Sequence, residues 1–386
     1  MSRILKFWIV LAVAALAIAT NDPNERLMAQ LVKEYKVNTK KHLELSGYGS
    51  SCRPDNIAVR KEWGNLSRRS RLEYIHAVKC LHRLPSQIDP ELAPGARSRY
   101  DDFLAAHMRL APKIHGTGLF LPWHRHFMHL YETALRDECG YSGYHPYWDW
   151  SKYVHRPHGA NPLYDGSATS MSGNGWYIPG RNGTLQPLPI QVPNPPAIYC
   201  PPGTGGGHIE RGPFVDWKAN LGPAIIMNVR NGLPVPPNPR PDGLGYNPRR
   251  IIRDFNNTLL ESNTYQVVTN MLTTMPSIHQ FHPYFYRGPH RTAHLFISGY
   301  DNDFYTSPLD PLFYFHHAQV DRIWAIWQAL DFPAREYALD GTLTMENTPP
   351  SRNVTLNDIM SFEFDDPIRV GERMSPTKNG LCYMYD

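Results

Sequence analysis

Between Pro179 and Pro241 the chain carries 15 prolines in 63 residues, with Gly203, Gly205, Gly206 and Gly207 among them. Each proline removes a backbone donor and fixes φ, so no regular helix or central strand can cross this stretch. It divides the sequence into two parts that both carry histidine clusters. A loop this long inside a compact domain is usually functional. The segment 179–241 therefore reads as a surface insertion of one domain, near the entrance to a site. The 386 residues suffice for one large domain or two small ones, with a sizeable core.

Either side of the insertion the pattern is helical. Residues 21–97 read as an N-terminal arm with short helices. Within it Leu72, Ile75, Val78 and Leu81 give Ser67–Leu84 a helical apolar face. A helix over about Arg99–Leu110 starts with Ser98 and Asp101 as a capping box and stops at Pro112. A third covers about Pro122–Asp137. Helical character returns at Pro248–Thr274 and near His290. The last strong helix is Pro311–Leu330, with Asp310 as N-cap. The fold expected from these patterns is mainly α, a helical bundle with long irregular connections and short strands.

The ends and the charge narrow the function. Arg3 and Lys6 precede an apolar run from Phe7 to Ala19, shorter than the roughly 20 residues a membrane span needs. Ala17-Ile18-Ala19 is a small-x-small pattern, so residues 1–19 read as a signal peptide and 20–386 as the mature domain. The alternative is an uncleaved anchor. Sequons at Asn65, Asn182, Asn256 and Asn353 agree with a secreted glycoprotein. Five widely spaced cysteines suit two disulfides and one remaining thiol, not a cysteine metal site. A net charge of +4, spread along the chain with no basic stripe, gives no sign of a nucleic-acid partner.

Six of the eighteen histidines form two groups. His107 lies on the helix face of Phe103 and Leu104. His115 follows on a loop before two glycines. His124 opens the next helix, with Glu132 two turns on as a residue to orient a ligand. In the second group His290 and His294 are four apart on one helix face. His317 lies on the last strong helix, sharing a face with Asp321. Its neighbour His316 points about 100° away, so one of the pair serves a given metal. Three neutral imidazoles suit copper or zinc, and two facing triads without carboxylates fit a copper pair better. The remaining histidines, His126, His129 and His282 included, read as surface or packing residues.

These residues resemble the tyrosinase, catechol oxidase and molluscan haemocyanin family. His115 through Phe120-Leu121-Pro122-Trp123-His124-Arg125 to Glu132 is similar to its copper A signature. Asp310-Pro311-Leu312-Phe313 through His317 to Asp321 is similar to copper B. Tyr147-Trp148-Asp149-Trp150 and Tyr383-Met384-Tyr385 also match, most like the short fungal members. The resemblance implies a four-helix bundle holding a dicopper site. It also implies His107, His115 and His124 on one copper ion and His290, His294 and His317 on the other, with His316 set aside. Only Asp386 follows Tyr385, so the C-terminal shielding domain of latent relatives is expected to be absent.

What the resemblance implies for function is oxidation of catechols, and of some monophenols, to ortho-quinones with dioxygen. No protein residue is needed as a catalytic base beyond the metal site. No cysteine lies between His107 and His115, so no thioether to a copper ligand is expected. Members strong on monophenols often carry Asn after the first copper B histidine, with a Glu upstream. Here Arg291 stands in that place and no Glu occurs between Asn263 and His290. Arg291 and Leu295, each following a copper B histidine, are the expected substrate-pocket residues. Phe281, Phe296 and Phe304 are gate candidates. The alternative function is a biosynthetic oxidase acting on phenol groups of a Tyr-containing peptide or metabolite.

Overall fold

The computed structural model describes residues 22–45, 51–156, 158–186, 198–224 and 233–386. The leader expected over residues 1–19 lies outside them. Eight helices carry the architecture: α1 Pro23–Leu45, α2 Arg68–Leu81, α3 Arg99–Ile114, α4 Phe120–Asp137, α5 Tyr265–Thr274, α6 Ile278–Phe285, α7 Arg291–Ile297 and α8 Leu312–Ala329. The fold is mainly α, and α3, α4, α7 and α8 bundle around the two histidine groups. No helix among the described residues is long and apolar enough to cross a membrane.

α8 is the axis, because every one of its residues is buried. A helix without a polar face must be surrounded on all sides. Pro311 rather than Asp310 takes the N-cap place, but the Asp310 carboxylate still holds the start of the helix, accepting from Leu312 N at 2.9 Å. The same carboxylate takes both arms of the Arg253 guanidinium at 2.7 Å, with both side chains fully buried. The capping box at α3 is present: Ser98 Oγ accepts from Asp101 N at 3.2 Å and Asp101 Oδ2 from Ser98 N at 3.0 Å.

Three element boundaries differ from expectation. α3 runs through Pro112 to Ile114, because a single missing donor in the last turn does not stop a helix this well buried. The segment before α5 is a short strand at Arg249–Arg250 and a 3₁₀ helix at Asn257–Asn263, not a helix from Pro248. The N-terminal arm is dominated by one 23-residue helix, α1. Its buried positions, Met28, Leu31, Tyr35, Thr39 and Leu43, are spaced three or four apart between charged residues. They lay α1 against α5 and α8.

Among its described residues, the segment 179–241 forms short strands rather than helix, in keeping with its prolines. Gly175–Tyr177 pairs with Gly206–Ile209, and Thr184–Gln186 with Ile198–Cys200. Arg181 fastens it: the guanidinium meets the Asp254 carboxylate and donates to Gly203 O and Gly205 O. Strand Ala58–Arg60 pairs in parallel with Tyr383–Tyr385, joining the two ends of the fold. Disulfides Cys52–Cys382 and Cys80–Cys139 match the expected count, and buried Cys200 is in neither. Of the sequons, Asn65, Asn182 and Asn353 are exposed. Asn256 is a correction: it is buried, it caps the 3₁₀ helix through Thr258 N, and its amide donates to Pro201 O.

Candidate dicopper centre

Each histidine of the first group comes from a different piece of backbone. His107 is mid-α3, His115 lies just past the end of α3 in extended conformation, and His124 is in the second turn of α4. Their ring centroids are 5.0 Å (His107–His115), 5.0 Å (His115–His124) and 5.9 Å (His107–His124) apart. In the second group His290 closes a wide π-helical turn, Tyr286–His290, broken at Gly288-Pro289. His294 follows on α7 and His317 projects from α8. Their centroids are 4.9, 5.3 and 5.4 Å apart. The groups meet where His124 stacks on His317 at 4.3 Å. Phe120 packs against both, 4.9 Å from His124 and 4.6 Å from His290.

The backbone aims most of these rings. His115, His124 and His290 each bond through Nδ1 to the carbonyl four residues earlier, Ala111, Phe120 and Tyr286, at 2.8–3.1 Å. His107 bonds through Nδ1 to Tyr305 O at 2.9 Å. A carbonyl can only accept, so Nδ1 carries the proton and Nε2 keeps its lone pair. His294 Nδ1 is held at 2.9 Å by the buried carboxylate of Asp301. Burial lowers the pKa of His107, His124, His290 and His317 well below the ordinary imidazole value and takes His115 to about 3. Those five rings are therefore neutral, the form that binds a metal.

Nε2 of His107, His124 and His290 is buried without a hydrogen-bond partner. Such groups are rare in a core because each forfeits its hydration. Within each group one ligand atom per residue lies within 4.8 Å of the others. Two all-imidazole, largely buried clusters of this kind fit a pair of copper ions.

Three expectations need correction or refinement. Glu132 orients no metal-cluster histidine ring; it accepts from Arg60 Nε at 3.0 Å and from His145 N. His316 does not turn away: it is fully buried and falls within the second cluster beside His290, His294 and His317. Among the gate candidates, Phe304 covers His115 with centroids 4.8 Å apart, while Phe281 stacks on Trp327 and Phe296 on Phe255. Arg291 is half-buried and Leu295 buried, each one residue beyond its histidine on α7. Asp301 and the carbonyl of Tyr305 had no signal in the sequence, since a loop carboxylate or carbonyl shows its partner only once folded.

The model of the common central domain of tyrosinase matches residues 97–330, more than half of the chain. The chain belongs to the tyrosinase family. This tyrosinase-family chain is 61% identical over 359 residues to the tyrosinase-like protein orsC of Emericella nidulans, covering 92% of this chain and 95% of that one. It is 40% identical to tyrosinase P of Aspergillus terreus over 343 residues, 86% and 93% of the two chains. Among solved structures, a mutant polyphenol oxidase from Thermothelomyces thermophila superposes with a TM-score of 0.84. It is 38% identical, covering 94% of this chain and 98% of that one. As a tyrosinase-family member with two histidine clusters, the chain is a copper-dependent oxidoreductase of the type-3 dicopper class.

Proposed function

We propose that this enzyme oxidises catechols, and monophenols more weakly, to ortho-quinones with dioxygen. In this reading His107, His115 and His124 hold one copper ion and His290, His294 and His317 the other. The observation that carries it is the pair of buried imidazole clusters in contact through His124 and His317. When bound, the copper pair would supply the redox chemistry, by which two catechols, each giving up two electrons and two protons, reduce one dioxygen to two waters. The chain's own part is to hold six nitrogens in a dry, shaped pocket. Phe304 over His115, together with Arg291 and Leu295 after His290 and His294, borders the phenol and fixes its approach. Arg291 in the place of Asn, with no Glu between Asn263 and His290, supports the preference for catechols. Copper quantitation with oxygen uptake across matched mono- and diphenols tests it. Full copper loading with no turnover of any phenol overturns it.

A second reading is a biosynthetic oxidase acting on the phenol of a peptide or larger metabolite. It is favoured by the exposed cross-strand pair Leu185 and Tyr199 on the insertion, 67% and 60% exposed, which offers an apolar platform outside the bundle. Turnover of a phenolic peptide but not of free catechol distinguishes the two. Export through a cleaved leader at residues 1–19, or anchoring by it, and glycans on Asn65, Asn182 and Asn353 complete the proposal. N-terminal sequencing and glycosidase shifts of the mature chain test these.

A further inference from the structure

His317 differs from the other five histidines in how its ring is held. His107, His115, His124 and His290 are each fixed through Nδ1 by a backbone carbonyl, and His294 by Asp301. His317 Nδ1 is buried without a hydrogen-bond partner. A ligand anchored through its second nitrogen keeps its aim with or without the ion; one that is not relies on packing and on the ion itself.

The residue beside it is also an imidazole. His316 is fully buried and neither of its ring nitrogens makes a hydrogen bond of normal geometry, the backbone of His290 being the polar group that acts on the ring. Its ring lies 4.3 Å from His294 and 5.3 Å from His290. His317 lies 5.4 and 5.3 Å from the same two rings. Both rings of α8 thus stand at similar range from two fixed ligands. One ligand nitrogen from each of the four lies within 4.8 Å of the rest. With metal–nitrogen bonds of about 2 Å, two donors on one ion can be no more than about 4 Å apart. As placed, not all six pairs among the four need meet that limit, and a modest ring rotation decides which three bind. An imidazole needed only to fill space against Trp150, 5.3 Å away, would be better replaced by a phenyl ring.

Resting on the reading of this cluster as a copper site, we infer that His316 is a reserve ligand, taking the third position on the second copper when His317 turns away. The site then has two ligands with fixed rings and a third place shared by adjacent residues of one helix.

The test uses the whole chain as wild type, H316F, H317F and H316F/H317F. Each is loaded with copper ions, dialysed and assayed for copper per chain, with circular dichroism as the check on folding. The expected result is about two coppers per chain for wild type and both single variants, and about one for the double variant. One copper per chain in folded H317F overturns the inference. A wild type that binds no copper instead sinks the reading of the site itself. Should H317F not fold, release of copper from H316F to a chelator decides. Loss of the second copper at least tenfold faster than from wild type supports the reserve role, and equal rates overturn it.

Discussion

Asp301 accepts a hydrogen bond from His294 Nδ1 at 2.9 Å while its own carboxylate is wholly buried. The opposite nitrogen of the same ring, Nε2, comes within 3.3 Å of His317 Nε2. One loop carboxylate thereby turns a helix side chain toward the centre of a cluster. Burial raises the Asp301 pKa to about 6, against the lowering effect of His294.

Replacing that carboxylate tests its part directly. Asp301→Asn is expected to weaken copper at the second cluster about 10–100-fold, the usual cost of losing a ligand's outer partner. Competition with a chelator of known affinity measures it. Unchanged affinity would show that packing alone aims His294.

The metal-free chain should be acid-sensitive well above the carboxylate range. Burial holds the folded pKa of His115 near 3 and those of His107, His124, His290 and His317 well below 6.5. Unfolded histidines titrate near 6.5. As pH falls below that value the unfolded chain takes up protons that the folded chain refuses. Stability is therefore full above about pH 6.5 and declines toward pH 3, by up to roughly 1.4 kcal/mol per pH unit for each such histidine. Urea unfolding of the metal-free chain at pH 7.5 and 5 measures the slope. Coincident curves would contradict it.

Asp321 is the hub of a buried charge network. It meets Arg125 Nε at 2.5 Å and accepts from Tyr383 and Tyr385 hydroxyls at 2.6 Å, with Arg60 at 3.6 Å. Arg125 and Arg60 pull its pKa down despite burial. Asp321→Asn strips the charge and leaves the buried Arg125 guanidinium without its counter-ion, while Arg60 keeps Glu132, for an expected loss of about 3–5 kcal/mol. Chemical denaturation reads this, and a loss below about 1 kcal/mol would count against the network.

Ser98→Ala is the contrasting case. It removes the acceptor for Asp101 N at the start of α3, far along the helix from His107. The expected loss is about 1 kcal/mol with copper content unchanged. A drop in copper content would mean that the α3 N-terminus and the site are coupled.

The helices that carry the site were readable because their patterns are local: a capping box at Ser98, a proline near the start of α4, an apolar α8. The six histidines were readable because they sit in long motifs. α1 was not, since its five buried positions are spread among charges and gain meaning only against α5 and α8. Glu132 was misjudged for a related reason. Helical spacing placed it on the face of His124, but its partner, Arg60, arrives from a strand 72 residues earlier. The adjacent pair His316 and His317 shows the limit of helical-wheel geometry: 100° separates two Cβ vectors, yet flexible χ angles bring both rings to one cluster.

The parallel pairing of Ala58–Arg60 with Tyr383–Tyr385 bears on biogenesis. The hydroxyls that complete the shell of Asp321 lie 62 and 64 residues beyond it in sequence, so α8 is sealed only after Tyr383 and Tyr385 have left the ribosome. Premature termination just short of Tyr383 would then yield a product with all six histidines but an open, hydratable core, a natural substrate for quality-control proteases.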